Sequence, residues 1–253
     1  TRGGFLQGRM INVIGMTSVG KSSHVNGMSY HWMMLPDIKP GIVSAEATAA
    51  QYSLEMLGIH LGVNFDLMQG QEILDFLERP DIAERVDNLW QNEYGEERFV
   101  ILDERDGCIG MLQDRMDRMF KHDGCNLLMV DVLSDILRGN SIEAQEDHMK
   151  YQKSLLKQGA TIVNVLHTKK IYPDPKGNIR KATEYDALGT SSFIQSAAYN
   201  IVINRDKMTD DIVMKNTTEV DMPKCRGGIT GPAGGWYYDS TNRECYDKED
   251  WTA

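Results

Sequence analysis

The run Gly15-Met16-Thr17-Ser18-Val19-Gly20-Lys21-Ser22 constrains this chain more than any other feature, because it completes the pattern GxxxxGK[ST] of a phosphate-binding loop. Such a loop works only as the turn between a strand and a helix. Residues 10–14 form the required apolar run before it, and a helix-compatible stretch follows. Each residue type has a physical task. Gly15 and Gly20 let backbone N–H groups close on phosphates, with Ser18 and Ser23 in the same cradle. Lys21 neutralises the outer phosphates, and the Ser22 hydroxyl suits a magnesium ion. The bare pattern arises by chance in about one chain of this length in a hundred. The bland alternative is a glycine-rich turn opening an ordinary helix.

At 253 residues, 41% of them hydrophobic, the chain is long enough for one large domain and does not need two, so residues 1–253 are read as a single domain. Cys108, Cys125, Cys225 and Cys245 form no CxxC pair, which argues for a reducing compartment and against structural zinc. No apolar run approaches membrane-spanning length, so a soluble, cytoplasmic protein is expected. A net charge of −10 speaks against a surface that coats duplex nucleic acid, though not against a local basic channel. The chain starts at Thr1 without Met, a few residues before the first strand, and is expected to be the C-terminal part of a longer one.

Buried strands are expected at 10–14, 41–44, 99–102, 127–130, 161–166 and 199–203. Helical patterns at 21–35, 48–62, 71–91, 111–122 and 142–158 lie between them. The alternation predicts an α/β fold with a mainly parallel, doubly wound sheet covered on both faces. From Asp211 onward, short β-like runs at 212–215, 219–224 and 235–239 predict a C-terminal antiparallel extension.

Two strand ends compete to organise the metal. Asp103-Glu104 could supply metal ligand and base together, whereas Asp131 needs its base from elsewhere, and Glu46 is available at the end of the second strand. Ligands collect at the carboxyl ends of parallel strands, so Glu46 would sit beside the phosphate loop. The strand after Asp131 ends at His167, which places a hydrogen-bonding group where it could sense a terminal phosphate; this favours Asp131 with Glu46.

Lys21, Ser22, Glu46, Asp131 and His167, in this order and spacing, resemble the RecA-like P-loop ATPase domain of DnaB-type replicative ring helicases. The likeness is greatest to the helicase half of T-odd phage primase-helicases and to Twinkle. The resemblance implies ATP or dTTP with Mg2+ as ligands, Glu46 as base, Asp131 with Ser22 as metal ligands and His167 as phosphate sensor. It leaves Asp103 on an intermediate strand. It also implies that Gly189 and Thr190 belong to a DNA-binding loop, that Gln195 touches the terminal phosphate, and that Arg205 and Tyr238 pack on the base. Arg226, in Lys224-Cys225-Arg226, corresponds to a finger reaching the neighbouring subunit's nucleotide. The chain departs from the family in having Leu188 and Ile194 where arginines are usual, a short Gly227-Gly228-Ile229 segment, and no linker helix.

Between His167 and Asp186 runs a loop with five basic residues, Lys169, Lys170, Lys176, Arg180 and Lys181, in an otherwise acidic chain. In a ring these loops would meet in a central channel and follow single-stranded DNA by its phosphates. The expectation is therefore an ATP-dependent single-stranded DNA translocase, a replicative helicase motor assembled head to tail as a hexamer. Primase and polymerase are its expected partners and, for a phage protein, the host cytoplasm its compartment. The competing readings are a RecA- or KaiC-like ATPase and a nucleotide-gated assembly protein without unwinding activity.

Overall fold

The computed structural model describes residues 5–103, 108–172, 175 and 179–247. One sheet of nine strands runs through them. Six carry the expected apolar runs: β1 (Met10–Gly15), β2 (Pro40–Ser44), β3 (Val100–Asp103), β4 (Leu127–Asp131), β5 (Thr161–His167) and β6 (Tyr199–Asn204). They are mutually parallel, and β7 (Thr217–Cys225), β8 (Gly231–Tyr238) and β9 (Cys245–Asp247) add antiparallel strands beyond β6. The order is β3-β2-β4-β5-β1-β6-β7-β8-β9, so β1 lies centrally with β5 and β6 on its flanks.

Alternate residues of the central strands feed two cores, as the two-residue repeat of a strand requires. Ile11, Val13, Ile42, Met129 and Val163 face α1 (Lys21–Met33), α2 (Ala49–Leu61) and α4 (Pro80–Trp90). Met10, Ile14, Val43, Leu128 and Ile162 face α5 (Ile109–Lys121), α6 (Leu133–Leu137), α7 (Ile142–Lys157) and α8 (Ser191–Ser196). Helices on both faces explain why these strands read as continuous apolar runs.

Two expectations are corrected. The helical region 71–91 is two helices, α3 (Gly70–Leu77) and α4, because Pro80 has no N–H to continue the first and sits at the opening turn of the second. The β-like run 212–215 is a short helix, α9 (Ile212–Asn216). Its β-branched residues are exposed, and the Asp211 carboxylate accepts from the N–H groups of Val213 and Met214, so local capping decides the conformation.

Candidate nucleotide and metal site

The site grows from the C-terminal end of β1. Gly15 closes that strand against β6, and a Cβ there would meet the Ile203 carbonyl oxygen and Val19 Cγ2 at 2.9 Å, so only glycine fits. Gly20 takes φ +94°, which turns the backbone into α1. Lys21 opens the helix and is 5% exposed, and its Nζ donates to the Met16 carbonyl at 2.8 Å. Burial lowers its pKa against the pull of Glu46, Asp131 and Asp135. The carbonyls at the loop's crown are held as well: Arg205 Nη2 donates to Ser18 O at 3.0 Å and Lys207 Nζ to Thr17 O at 2.8 Å. Ser22 is the next residue of the helix and is half-buried, and Ser23 is exposed.

Sheet order separates the two candidate acids. Asp103 is on the edge strand, four strand spacings from β1, or roughly 19 Å. Its neighbour Glu104 lies outside the described residues. Asp131 ends a strand only two spacings from β1, is 5% exposed, and lines the same cleft as Ser22. Burial, reinforced by the nearby Glu46 charge, pushes its carboxyl up to about 6. Its Oδ1 is buried without a hydrogen-bond partner among the described residues. An orphaned carboxylate oxygen beside a serine hydroxyl suits a hard divalent cation such as Mg2+.

Glu46 follows β2 in a turn shaped by Ser44, whose hydroxyl donates to Ala47 O and accepts from Ala47 N. Its Oε1 lies 3.1 Å from His167 Nε2. That hydrogen bond, against partial burial, draws the Glu46 pKa below its ordinary value, so the carboxylate is ionised and directed. His167 is 8% exposed, and its backbone N–H donates to Ser134 Oγ at 3.0 Å, which ties β5 to the segment after Asp131. Asp135 Oδ2 stands 3.7 Å from the same Nε2. Beside these groups opens a cleft of about 340 Å³, lined by Ser22, Asn26, Glu46, Glu55, Asp131 and Arg243 among others.

The antiparallel extension forms the other wall. His24 on α1 stacks on Trp236 of β8, with ring centroids 4.5 Å apart and planes 6° apart, and burial pushes its pKa down to about 4. Arg243, in the turn after β8, donates to Asn64 Oδ1 at 2.8 Å and pairs with Asp66. The ribbon is thus pinned on both sides of Tyr238, which lies close enough to Arg205 to act on it electrostatically.

Other expected residues lie elsewhere. Gln195 is exposed on α8, and its carbonyl accepts from Lys224 Nζ at 2.7 Å. Lys224 is in register with Asn200 near the start of β6. Arg226 is exposed at that same starting edge, its N–H bonded to Ala198 O. In the basic loop Lys169 and Lys170 are exposed, with Lys170 Nζ 5.0 Å above the Tyr172 ring. Arg180 grips Asp186 through two bonds of 2.7 and 2.6 Å, and Lys181 pairs with Glu219, so neither stands as an open cation. Lys176 lies outside the described residues. Gly189 has φ +105°, and Thr190 opens α8 with its Oγ1 buried and unpartnered.

Sequence reasoning missed Asp135, Lys207 and Arg243. Asp135 carried a usable signal, four residues after Asp131 at a strand end, and so did Lys207, two after Arg205. Arg243 carried none, since its partners are 177 and 179 residues away.

No protein-family model matches the chain, and no curated protein matches it. Among solved structures, the "ATPase Domain of G40P" aligns over 95% of this chain and 85% of its own, with a TM-score of 0.73 at 13% sequence identity. Across the solved structures 613 chains match, so the likeness is to a widespread architecture. Identity that low carries the fold alone. The chain has the RecA-like α/β fold, a mainly parallel doubly wound sheet with a C-terminal antiparallel extension.

Proposed function

We propose that this chain is an ATP-hydrolysing motor domain that moves along single-stranded DNA as part of a head-to-tail ring, with residues 1–253 forming one ATPase unit. The observation that carries the reading is the convergence at one sheet edge of Lys21, Ser22, Asp131 and the Glu46–His167 pair, with the basic loop leaving β5 directly after His167. ATP, or dTTP, would place its phosphates on the Gly15–Ser22 loop and displace Lys21 from the Met16 carbonyl. Ser22 and the orphaned oxygen of Asp131 would hold Mg2+, which supplies charge neutralisation at the outer phosphates. Glu46, ionised and aligned by His167, orients and deprotonates water. His167 can then exchange Glu46 for a terminal phosphate oxygen, and the strand that carries it continues into Lys169 and Lys170. Arg205 and Tyr238 border the place for the base. The likeness to an ATPase domain supports this reading at the level of fold.

Arg226 lies at the sheet edge opposite its own phosphate loop, so a role for it in hydrolysis requires a second copy whose loop faces it. The test is ATP turnover with and without single-stranded DNA across a salt series. Stimulation that weakens with salt supports the translocase. A preparation that forms rings yet shows no stimulation points instead to a nucleotide-gated assembly protein.

A further inference from the structure

Three asparagines stand side by side in the centre of the sheet. Asn12 of β1 is in register with Asn164 of β5 and Asn200 of β6, and all three are 0% exposed. Central parallel strands ordinarily carry apolar residues there. On one side the ladder is anchored to α7: Gln152 and Asn164 exchange two bonds of 2.9 and 3.0 Å, and Asn164 Nδ2 donates to Asn12 Oδ1 at 3.5 Å. On the other side it reaches out of the core. Asn12 Nδ2 donates to Asn200 Oδ1 at 2.9 Å and to the Phe193 carbonyl at 3.0 Å. Asn200 Nδ2 donates to the Ile194 carbonyl at 3.2 Å and to Glu184 Oε2 at 2.5 Å.

Glu184 opens the 3-10 turn Glu184–Asp186, which closes the basic loop. Asp186 holds Arg180 through its carboxylate and receives the Lys169 N–H on its carbonyl at 2.6 Å, while Leu188 N donates to His167 O at 2.8 Å. The two feet of the loop are therefore clamped by one turn. That turn hangs from Asn200, and Asn200 is bonded to the strand that delivers the phosphate loop three residues later.

We propose that Asn12, Asn200 and Glu184 are positioning residues that fix the basic loop relative to β1, so that strand contact at Lys169 and Lys170 is coupled to nucleotide turnover at Gly15–Ser22. The coupling half rests on the function proposed above; the positioning half does not. Losing Asn200 leaves Glu184 Oε2 and the Ile194 carbonyl without this donor and frees the turn, whereas losing Asn164 disturbs the same ladder on the side away from the loop.

The test compares Asn200→Leu, Glu184→Ala, Glu184→Gln and Asn164→Leu in the full chain by two measurements. Limited trypsin digestion with mass-spectrometric assignment reads opening of the loop at Lys169, Lys170, Arg180 and Lys181. Cleavage there is expected to rise about tenfold in Asn200→Leu and Glu184→Ala, because cleavage follows the population of the open form. It should stay near wild type in Asn164→Leu and in Glu184→Gln, whose amide oxygen still accepts from Asn200. Equal cleavage in Asn200→Leu and Asn164→Leu, or wild-type cleavage in both Asn200→Leu and Glu184→Ala, overturns the positioning. In the second measurement, ATP turnover without DNA should stay within about twofold of wild type in Glu184→Ala, while stimulation by single-stranded DNA falls about tenfold and returns in Glu184→Gln. Full stimulation in Glu184→Ala overturns the coupling. Wild-type protein that shows no stimulation overturns both the proposed function and the coupling, and leaves the digestion pattern to decide the positioning alone.

Discussion

Replacing Asp131 by Asn should make the nucleotide-free protein more stable while removing its use for magnesium. The folded chain holds the Asp131 proton until about pH 6, whereas an ordinary aspartate releases it near 3.8. Between those values the native state binds more protons than the unfolded chain, so stability falls as pH rises through this window. The penalty is absent well below 3.8 and complete above 6. At about 1.36 kcal/mol per tenfold, the difference comes to about 3 kcal/mol at pH 8. The attraction of the buried Lys21 ammonium is already part of this balance, since it draws the Asp131 pKa down against burial. A net gain of about 1–3 kcal/mol is expected for Asp131→Asn at pH 8, shrinking to a few tenths at pH 4. Urea denaturation of both proteins at the two pH values, in EDTA and without nucleotide, measures it. A variant no more stable than wild type at pH 8, or a gain equal at both pH values, would refute the account of Asp131 as a buried carboxylate awaiting a cation. In the same variant Mg2+ should no longer tighten nucleotide binding.

Glu46→Gln should keep nucleotide affinity, measured with a fluorescent analogue, and lower phosphate release by roughly 10²–10⁴-fold, the range for a lost general base; a rate within threefold of wild type would reject Glu46 as base. Lys169→Ala with Lys170→Ala should lower the slope of log affinity for single-stranded DNA against log salt by about 1.4. Arg180→Ala, whose cation is already committed to Asp186, should leave that slope nearly unchanged, and equal losses from the two variants would count against the distinction. Arg226→Ala should abolish turnover alone yet regain part of it when mixed with Glu46→Gln protein, because each variant supplies what the other lacks. Mixtures as inactive as either parent would place Arg226 outside catalysis.

The parallel sheet was legible because its strands are buried on both faces, which leaves uninterrupted apolar runs such as Leu127-Leu128-Met129-Val130 between polar helices. The exposed elements were not. The Ile212-Val213 pair reads as strand by propensity, yet both side chains are exposed, and Asp211 wins by capping. Glu46 and His167 could be found because ends of parallel strands meet at one edge whatever their separation in sequence, here 121 residues. Asp135, Arg243 and the Asn12 ladder depend on which side chains meet across neighbouring strands and turns, and a one-dimensional pattern does not hold that. Asn12 sits inside an apolar strand, where a single polar residue reads as an interruption and not as the middle of a chain of bonds.

If Arg226 acts in hydrolysis as proposed, it acts on the nucleotide of a second copy. Gly15 ends β1 and Arg226 directly follows β7, two strands separated only by β6. Along the strands, however, Arg226 lies level with Met10, since Ala198 bonds both Arg226 N and Met10 O. Five residues of strand then separate it from Gly15, about 17 Å and more than an arginine side chain can span. Because β6 and β7 are antiparallel, no rotamer corrects this: lengthening β7 moves Arg226 farther from the loop. The cations that do reach the loop, Lys21, Arg205 and Lys207, are bonded to its carbonyls at Met16, Ser18 and Thr17. They approach from the side of the loop's own strand and extension. The face of the cleft toward Glu46 and Asp131 is acidic instead, with Glu55 and Asp66 on its rim, and Arg243 there is tied to Asn64 and paired with Asp66. A terminal phosphate placed against that face would meet Lys21 from one side only. In the ring proposed above, a neighbouring copy's Arg226 would be the further cation for charge that builds up there during transfer.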